Sequence, residues 1–287
     1  MSIVYLNGEF LAQADARISP MDRGFLYADG VYEVIPAYQG HLFRLDAHLD
    51  RLDRSLEGIR LANPLLRADW KHLLHELLRR NQGHDAYVYV QLTRGAYDAR
   101  DHGFPAVVKP TVFAFVGKLP DISALMDENG VAAVTVPDLR WQRCDIKSIA
   151  LLANVLARQS AIDACNGDAI FVRDGMALEG AASNLFLVKD GLVITPPKSH
   201  LLLHGITRDV VLELLAAKGI PYRERAIDAA ELASADELWL TSTTREIRPV
   251  TRLNEQRIGT GRAGPIWRQV MQAFQDLKRS FCAGDTK

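Results

Sequence analysis

One lysine, Lys147, stands just ahead of a long apolar run in the stretch CDIKSIALLANVLARQ, residues 144–159. On spacing alone such a lysine is usually a surface ammonium whose stem lies along apolar neighbours. Taken out of water, the same amine gives up its proton more readily and can serve as a base or attack a carbonyl. Two other stretches could hold an anion. In HGITRDVVLELL, Gly205, Ile206 and Thr207 sit where a helix beginning near Arg208 would expose unpaired N–H groups, a terminus that accepts a phosphate. In LTSTTREI, Ser242, Thr243 and Thr244 end an apolar strand with three hydroxyls. Either stretch alone also reads as ordinary chemistry, with Thr207 capping its helix and the hydroxyls filling a turn.

Other motifs lead elsewhere. GTGRAG, residues 259–264, matches G-x-G-x-x-G, but a dinucleotide fold needs a βαβ unit around that turn and an acid about 20 residues on. Only 23 residues follow Gly264, ending in the tail SFCAGDTK, so a nicotinamide enzyme is a minor reading. Of the eight histidines, His72 and His75 share a helix without the H-E-x-x-H order, and no metal site is expected. Cys144, Cys165 and Cys282 are odd in number and lack C-x-x-C spacing, which reads as free thiols.

The elements that must position these residues come from turn chemistry and periodicity. Asn7-Gly8 and Gln39-Gly40 lie between apolar runs and predict hairpins. Leu45, Leu49, Leu52 and Leu56 then fall at helical spacing, and a second helix follows near ADWKHLLHELLRR. Strands AYVYVQLTRG and TVFAFVGKL complete a unit, and polar KLPDISALMDENG reads as a connector. Beyond it come strand VAAVTV, a helix over about residues 149–165, and hairpins with Asp-Gly turns in DAIFVRDGMALEG and NLFLVKDGLVITPP. Helices at TRDVVLELLAAKG and IWRQVMQAFQDLKRS flank strand ELWLTSTT. The expected fold is α+β in two domains, residues 1–120 and 131–287, joined by 121–130, with hairpin-rich mixed sheets and flanking helices; Lys147 belongs to the second domain. Hydrophobic residues make up 48% and charged ones 24% with a formal net charge of -1, which argues against nucleic acid or an anionic membrane as partner. No signal peptide or membrane-length span is legible, so a cytoplasmic protein acting on small molecules is expected.

Pyridoxal phosphate needs an amine such as Lys147, an anion cradle and a carboxylate near its pyridine nitrogen, for which Glu179 in LEGAASN is a candidate. SPMDRGFLYADGVYEV, DIKSIALLANVLARQ, FVRDGMALEGAASNLFLV, HGITRDVV and LTSTTREIRPV, in that order along nearly the whole chain, resemble the class IV (fold type IV) pyridoxal phosphate aminotransferases. The resemblance implies that Lys147 is the Schiff-base lysine and Glu179 the partner of the pyridine nitrogen. It implies that Arg51, in HLDRL, holds the phosphate with Ile206, Thr207 and Thr243, and that Leu203 packs beside the ring.

The class includes D-amino acid, branched-chain L-amino acid and R-selective amine aminotransferases and aminodeoxychorismate lyase, so the fold leaves the substrate open. TRGAYDARDHGFP, with Arg100 and His102 two apart, resembles the carboxylate-trapping loop of the D-amino acid (D-alanine) branch, and Tyr32 in GVYEV matches its third carboxylate contact. An arginine fork, a histidine and a phenol can hold an α-carboxylate in one orientation. Asp98 and Asp101 flank the trap and bear on a second, dicarboxylic substrate. The implied activity is transfer of the amino group of a D-amino acid to a 2-oxo acid, in two half-reactions with Lys147 as the proton carrier. The resemblance further implies a homodimer with the cofactor between two domains, leaving open whether the Arg100 loop crosses the interface. The lyase, a branched-chain or R-amine aminotransferase, and an inactive binding protein on the same scaffold are the alternatives.

Overall fold

The computed structural model describes residues 2–107 and 109–284; Met1 and residues 285–287, which the expected domain limits and the tail include, lie outside the described residues. The chain divides into two compact units: one runs to Leu119 and adds Ile146–Ala150, and the other comprises Pro120–Asp145 and Leu151 onward. The expected domains put residue 120 in the first and Lys147 in the second, whereas contacts group Pro120 with the second unit and Lys147 with the first.

The first unit contains strands β1 (Ile3–Leu6), β2 (Glu9–Ala12), β3 (Gly30–Tyr38), β4 (His41–Leu42), β5 (Ala86–Thr93) and β6 (Thr111–Lys118), with helices α1 (Arg23–Tyr27), α2 (Leu45–Gly58) and α3 (Arg67–Arg80). Its sheet is antiparallel throughout, in the order β2-β1-β6-β5-β3-β4. The β1–β2 hairpin turns at Asn7 and Gly8, both with positive φ, as the Asn-Gly pair requires. Strand alternation sorts the two faces. Val31, Ile35, Val88, Val90, Leu92 and Ala114 point into a core closed by Leu49, Leu52 and Leu56 of α2 and Trp70, Leu74 and Leu77 of α3. Tyr32, Tyr89, Gln91, Phe113 and Phe115 occupy the other parity and remain half-buried.

The second unit contains the short α4 (Ile122–Leu125), β7 (Val131–Pro137), α5 (Leu152–Asp163), β8 (Asp168–Arg173), β9 (Met176–Gly180), β10 (Ser183–Lys189) and β11 (Leu192–Thr195). It continues with α6 (Ile206–Lys218), β12 (Tyr222–Glu224), β13 (Ile227–Asp228), β14 (Glu237–Ser242), β15 (Glu246–Leu253), β16 (Gln256–Arg257) and α7 (Pro265–Ala283). Among the described residues its strands form a mixed sheet, parallel at β15-β7-β8 and β11-β12 and antiparallel elsewhere. Asp174-Gly175 and Asp190-Gly191 make the β8–β9 and β10–β11 turns, again with positive φ. The expected connector contains α4, and the helix expected from about 149 starts at Leu152. The reason is that Ile149 donates its N–H to the Gly30 carbonyl at 3.1 Å and Ser148 bridges to Val31, so these two residues are spent on strand pairing. No described helix is long and apolar enough to cross a membrane.

Candidate active site

Lys147 lies on the short extended segment that pairs with the start of β3. Its backbone is held at both ends: its carbonyl accepts from the Tyr32 N–H at 2.9 Å, and its N–H donates to Ser55 Oγ at 3.2 Å. The side chain is half-buried, and Nζ sits 4.1 Å from the centroid of the Tyr32 ring. An ammonium over a phenol face is favourable, and it brings two of the expected site residues together.

Arg51 is on the buried face of α2, one turn before Ser55. Its guanidinium is aimed by Glu33, with Nε donating to Oε1 at 2.6 Å and Nη2 to Oε2 at 2.9 Å, while His48 Nδ1 lies 2.9 Å from Oε2. Burial would raise the Glu33 carboxyl, but the charge and hydrogen bonds of Arg51, with His48, hold it well below the usual carboxylate range. Burial likewise pushes His48 down. A fully buried carboxylate paired with a guanidinium orients that arginine rigidly.

Arg100 and His102 lie in an exposed loop whose backbone is clamped from below. Buried Arg23 donates through Nη1 to the carbonyls of Asp101 at 2.6 Å and Gly103 at 3.2 Å, and through Nη2 to that of His102 at 3.2 Å. Its Nε bonds Asp29 at 2.8 Å, and Arg94 shares the same carboxylate while covering the Phe104 ring at 3.7 Å. The Arg100 guanidinium and the His102 ring both approach Tyr27, at 5.6 Å and 5.2 Å between centres. Among the described residues the ring contacts of Arg100 and His102 are with Tyr27. Asp101, one of the flanking acids, accepts the Gly103 N–H at 3.0 Å and so shapes the turn.

In the second unit Glu179 is buried near the end of β9. Oε1 meets Arg140 Nη1 at 2.5 Å, and Oε2 accepts from the Leu203 N–H at 3.0 Å and Asn184 Nδ2 at 3.2 Å. Burial pushes its carboxyl up to about 7 against the pull of Arg140, which is itself anchored by Asp138. Asn184 also donates to the Leu203 carbonyl at 2.7 Å, tying the Leu203 backbone to Glu179. Register places Glu179, Asn184 and Thr241 opposite one another across β9, β10 and β14, and Thr241 Oγ1 is buried without a protein partner.

Ile206 and Thr207 open α6. Its N-cap is Gly205 with no side-chain cap bond, so Thr207 is not the cap that ordinary capping would make it, and among the described residues no side chain caps the first-turn N–H groups. Gly205 is required there, because a Cβ would come 1.9 Å from Asn184 Oδ1. Thr243 lies half-buried in the turn between β14 and β15.

Each unit, taken by itself, holds groups that suit part of pyridoxal phosphate: the first a half-buried amine and a rigid arginine, the second a buried carboxyl raised toward neutrality, a helix start without a side-chain cap and an orphaned buried hydroxyl. No cluster of three or more potential metal-binding side chains occurs among the described residues. Sequence reading missed Glu33, His48, Arg23, Arg140 and Asn184. Glu33 carried a signal, since it shares strand parity with the buried Val31 and Ile35.

Comparison with known proteins agrees in kind. The family model described as amino-transferase class IV matches residues 30–253. A D-alanine aminotransferase of Bacillus licheniformis is 41% identical over 275 residues, covering 95% of this chain and 96% of its own. One of Staphylococcus haemolyticus is 40% identical, covering 96% and 97%. Among solved structures, the Escherichia coli branched-chain amino acid aminotransferase superposes with a TM-score of 0.87 at 27% identity, covering 96% of this chain and 94% of that one. A fold IV transaminase of Curtobacterium pusillum gives 0.82 at 26%, covering 97% and 99%.

Proposed function

The chain belongs to the class IV aminotransferases, which use pyridoxal phosphate, and we propose that it transfers the amino group of a D-amino acid such as D-alanine to a 2-oxo acid. The observation that carries this reading is Lys147, held by its backbone against β3 with Nζ 4.1 Å from the Tyr32 ring centroid. The curated relatives at about 40% identity act, by name, on D-alanine, which favours this substrate over the branched-chain one named for the solved structure.

In this reading pyridoxal phosphate, bound through Lys147, supplies a protonated ring that takes up the electron pair left when the substrate α-proton departs. Lys147 would hold the cofactor and, as a free amine, would carry that proton. Glu179, its carboxyl raised by burial and steadied by Arg140 and Asn184, would be the partner of the pyridine nitrogen. By the family resemblance, Arg51, aimed by Glu33 in the first unit, would hold the phosphate, as would Ile206, Thr207 and Thr243 of the second, where Leu203 would lie beside the ring. Tyr32, Arg100 and His102 hold the substrate carboxylate and so decide which hydrogen faces Lys147.

A homodimer belongs to the same reading. The large side chains of α5 face outward, with Leu152 72%, Val155 59% and Leu156 58% exposed, whereas its alanines Ala157 and Ala161 face the sheet. Apolar side chains of that size at i, i+3 and i+4 suit burial against a second copy. A cytoplasmic setting suits the three free cysteines.

The test is the visible spectrum of the cofactor-loaded protein after addition of D-alanine or L-alanine. Loss of the cofactor's visible band with D-alanine alone is expected. A band that responds to L-leucine and not to D-alanine would mean the branched-chain activity, and one that responds to no amino acid would favour the lyase.

A further inference from the structure

A second group of charged side chains in the second unit lies outside the residues assigned above. Asp168 opens β8 and is buried; one of its carboxylate oxygens accepts the Ala169 N–H at 2.9 Å. The charges of Arg158 on α5, Arg245 in the turn before β15 and Arg248 on β15 all act on its carboxyl. The nearest, Arg245 Nη1, is 3.7 Å from Oδ2, which is an ion pair beyond hydrogen-bond reach. None of the three guanidinium groups makes a hydrogen bond to a protein acceptor among the described residues, and Arg158 Nη1 is fully buried without a partner.

The neighbouring acids do not supply the missing partners. Asp127 acts on Arg248 from a distance, but it is exposed and already accepts the backbone and side-chain N–H groups of Asn129. Glu246, next to Arg245 in sequence, is taken by Gln275 and Lys278. Three guanidinium charges acting on one buried carboxylate leave an excess of positive charge, and burial followed by the charge of Arg245 pushes Arg248 down. Such an arrangement is unfavourable by itself and becomes favourable when a multiply charged oxyanion takes up the planar donor edges. The side chain of Arg245 is 39% exposed, which leaves a path from solvent.

We propose that Arg158, Arg245 and Arg248, ordered by Asp168, form a binding site for a phosphoryl group separate from the residues assigned to the cofactor. The inference is independent of the aminotransferase reading, because none of these residues has a role in it. Asp168 pairs with the nearest guanidinium at 3.7 Å, and the unpaired N–H donors, the buried Arg158 Nη1 among them, are the groups that would bind the anion.

The experiment is calorimetric titration of the cofactor-loaded protein with inorganic phosphate at constant ionic strength, repeated with methyl phosphate. One saturable site per chain is expected. Arg245→Gln and Arg248→Gln are each expected to weaken it at least tenfold, the equivalent of one charge-assisted hydrogen bond, while the cofactor's visible spectrum and the melting temperature without phosphate stay unchanged. Equal binding of both ligands would support a site for free phosphate, and tighter binding of methyl phosphate a site for phosphate esters. Absence of binding in the parent, equal binding in the variants, or binding of malonate in place of phosphate would each overturn the proposal. So would a loss of binding in the variants that tracks a change in sedimentation mass, since the arginines would then serve a subunit contact.

Discussion

Lys147 shows how a reactive amine can be placed without full burial. Two backbone hydrogen bonds, from Tyr32 and to Ser55, fix its position, while the side chain keeps the freedom a proton carrier needs. Lys147→Ala is therefore expected to leave the melting temperature nearly unchanged and to lower turnover of D-alanine by on the order of 1,000-fold or more, read by single-turnover absorbance. Near-normal turnover would remove Lys147 from the reaction. Arg51 illustrates the opposite demand, because its rigidity depends on Glu33. Glu33→Gln leaves a buried guanidinium without its counter-charge, with an expected loss of about 3–5 kcal/mol in urea unfolding at pH 7. The carboxyl is held below its ordinary value of 4.5, so its stabilising contribution is complete above that pH and lost as pH falls below it. The gap between parent and variant should thus narrow by about 1.4 kcal/mol per pH unit below that point, and a constant gap would argue against the ion pair as its source.

At the scale of elements, the local signals were readable and the non-local partnerships were not. Asn7-Gly8, Asp174-Gly175 and Asp190-Gly191 specify hairpins because only a few residue types tolerate positive φ at both turn positions. The helix expected from about 149 begins about three residues later, since Ile149 has helical periodicity but gives its N–H to Gly30 at the start of β3, which no local window contains, and Ala150 gives its own to Ser148 Oγ. Lys147, Glu179 and the phosphate stretches stood out by their motifs, yet Glu33, Arg140 and Arg23 did not, because a buried ion pair is chosen by tertiary neighbours. Arg23 is an instance with a measurable consequence. It binds three carbonyls of the Arg100 loop and Asp29 at once, a reach that a compact ammonium lacks. Arg23→Lys is expected to speed amide exchange across residues 97–103 and raise the KM for D-alanine roughly tenfold, with the cofactor spectrum unchanged. An unaltered KM despite faster exchange would mean that the loop does not hold the substrate.

For the molecule as a whole, the question is why α5 is arranged with its small side chains inward. Ala157 and Ala161 let the helix lie close against Ala169 and Phe171 of β8, and that close approach turns Leu152, Val155 and Leu156 outward. A lone chain gains nothing from exposing them, whereas a second copy seated on this face would remove them from water at about 25 cal/mol per Å² of apolar surface. The family resemblance leaves open which chain's site the Arg100 loop serves, and among the described residues its ring contacts are with Tyr27. Leu156→Glu, which sets a charge in the middle of that face, is expected to convert a dimer into monomers in sedimentation equilibrium while leaving each chain folded by circular dichroism. If the Arg100 loop serves the partner's site, activity should fall with the dimer and return at high protein concentration. A variant that stays dimeric would exclude α5 as the interface, and one that becomes monomeric with full activity would show that each site is complete within one chain.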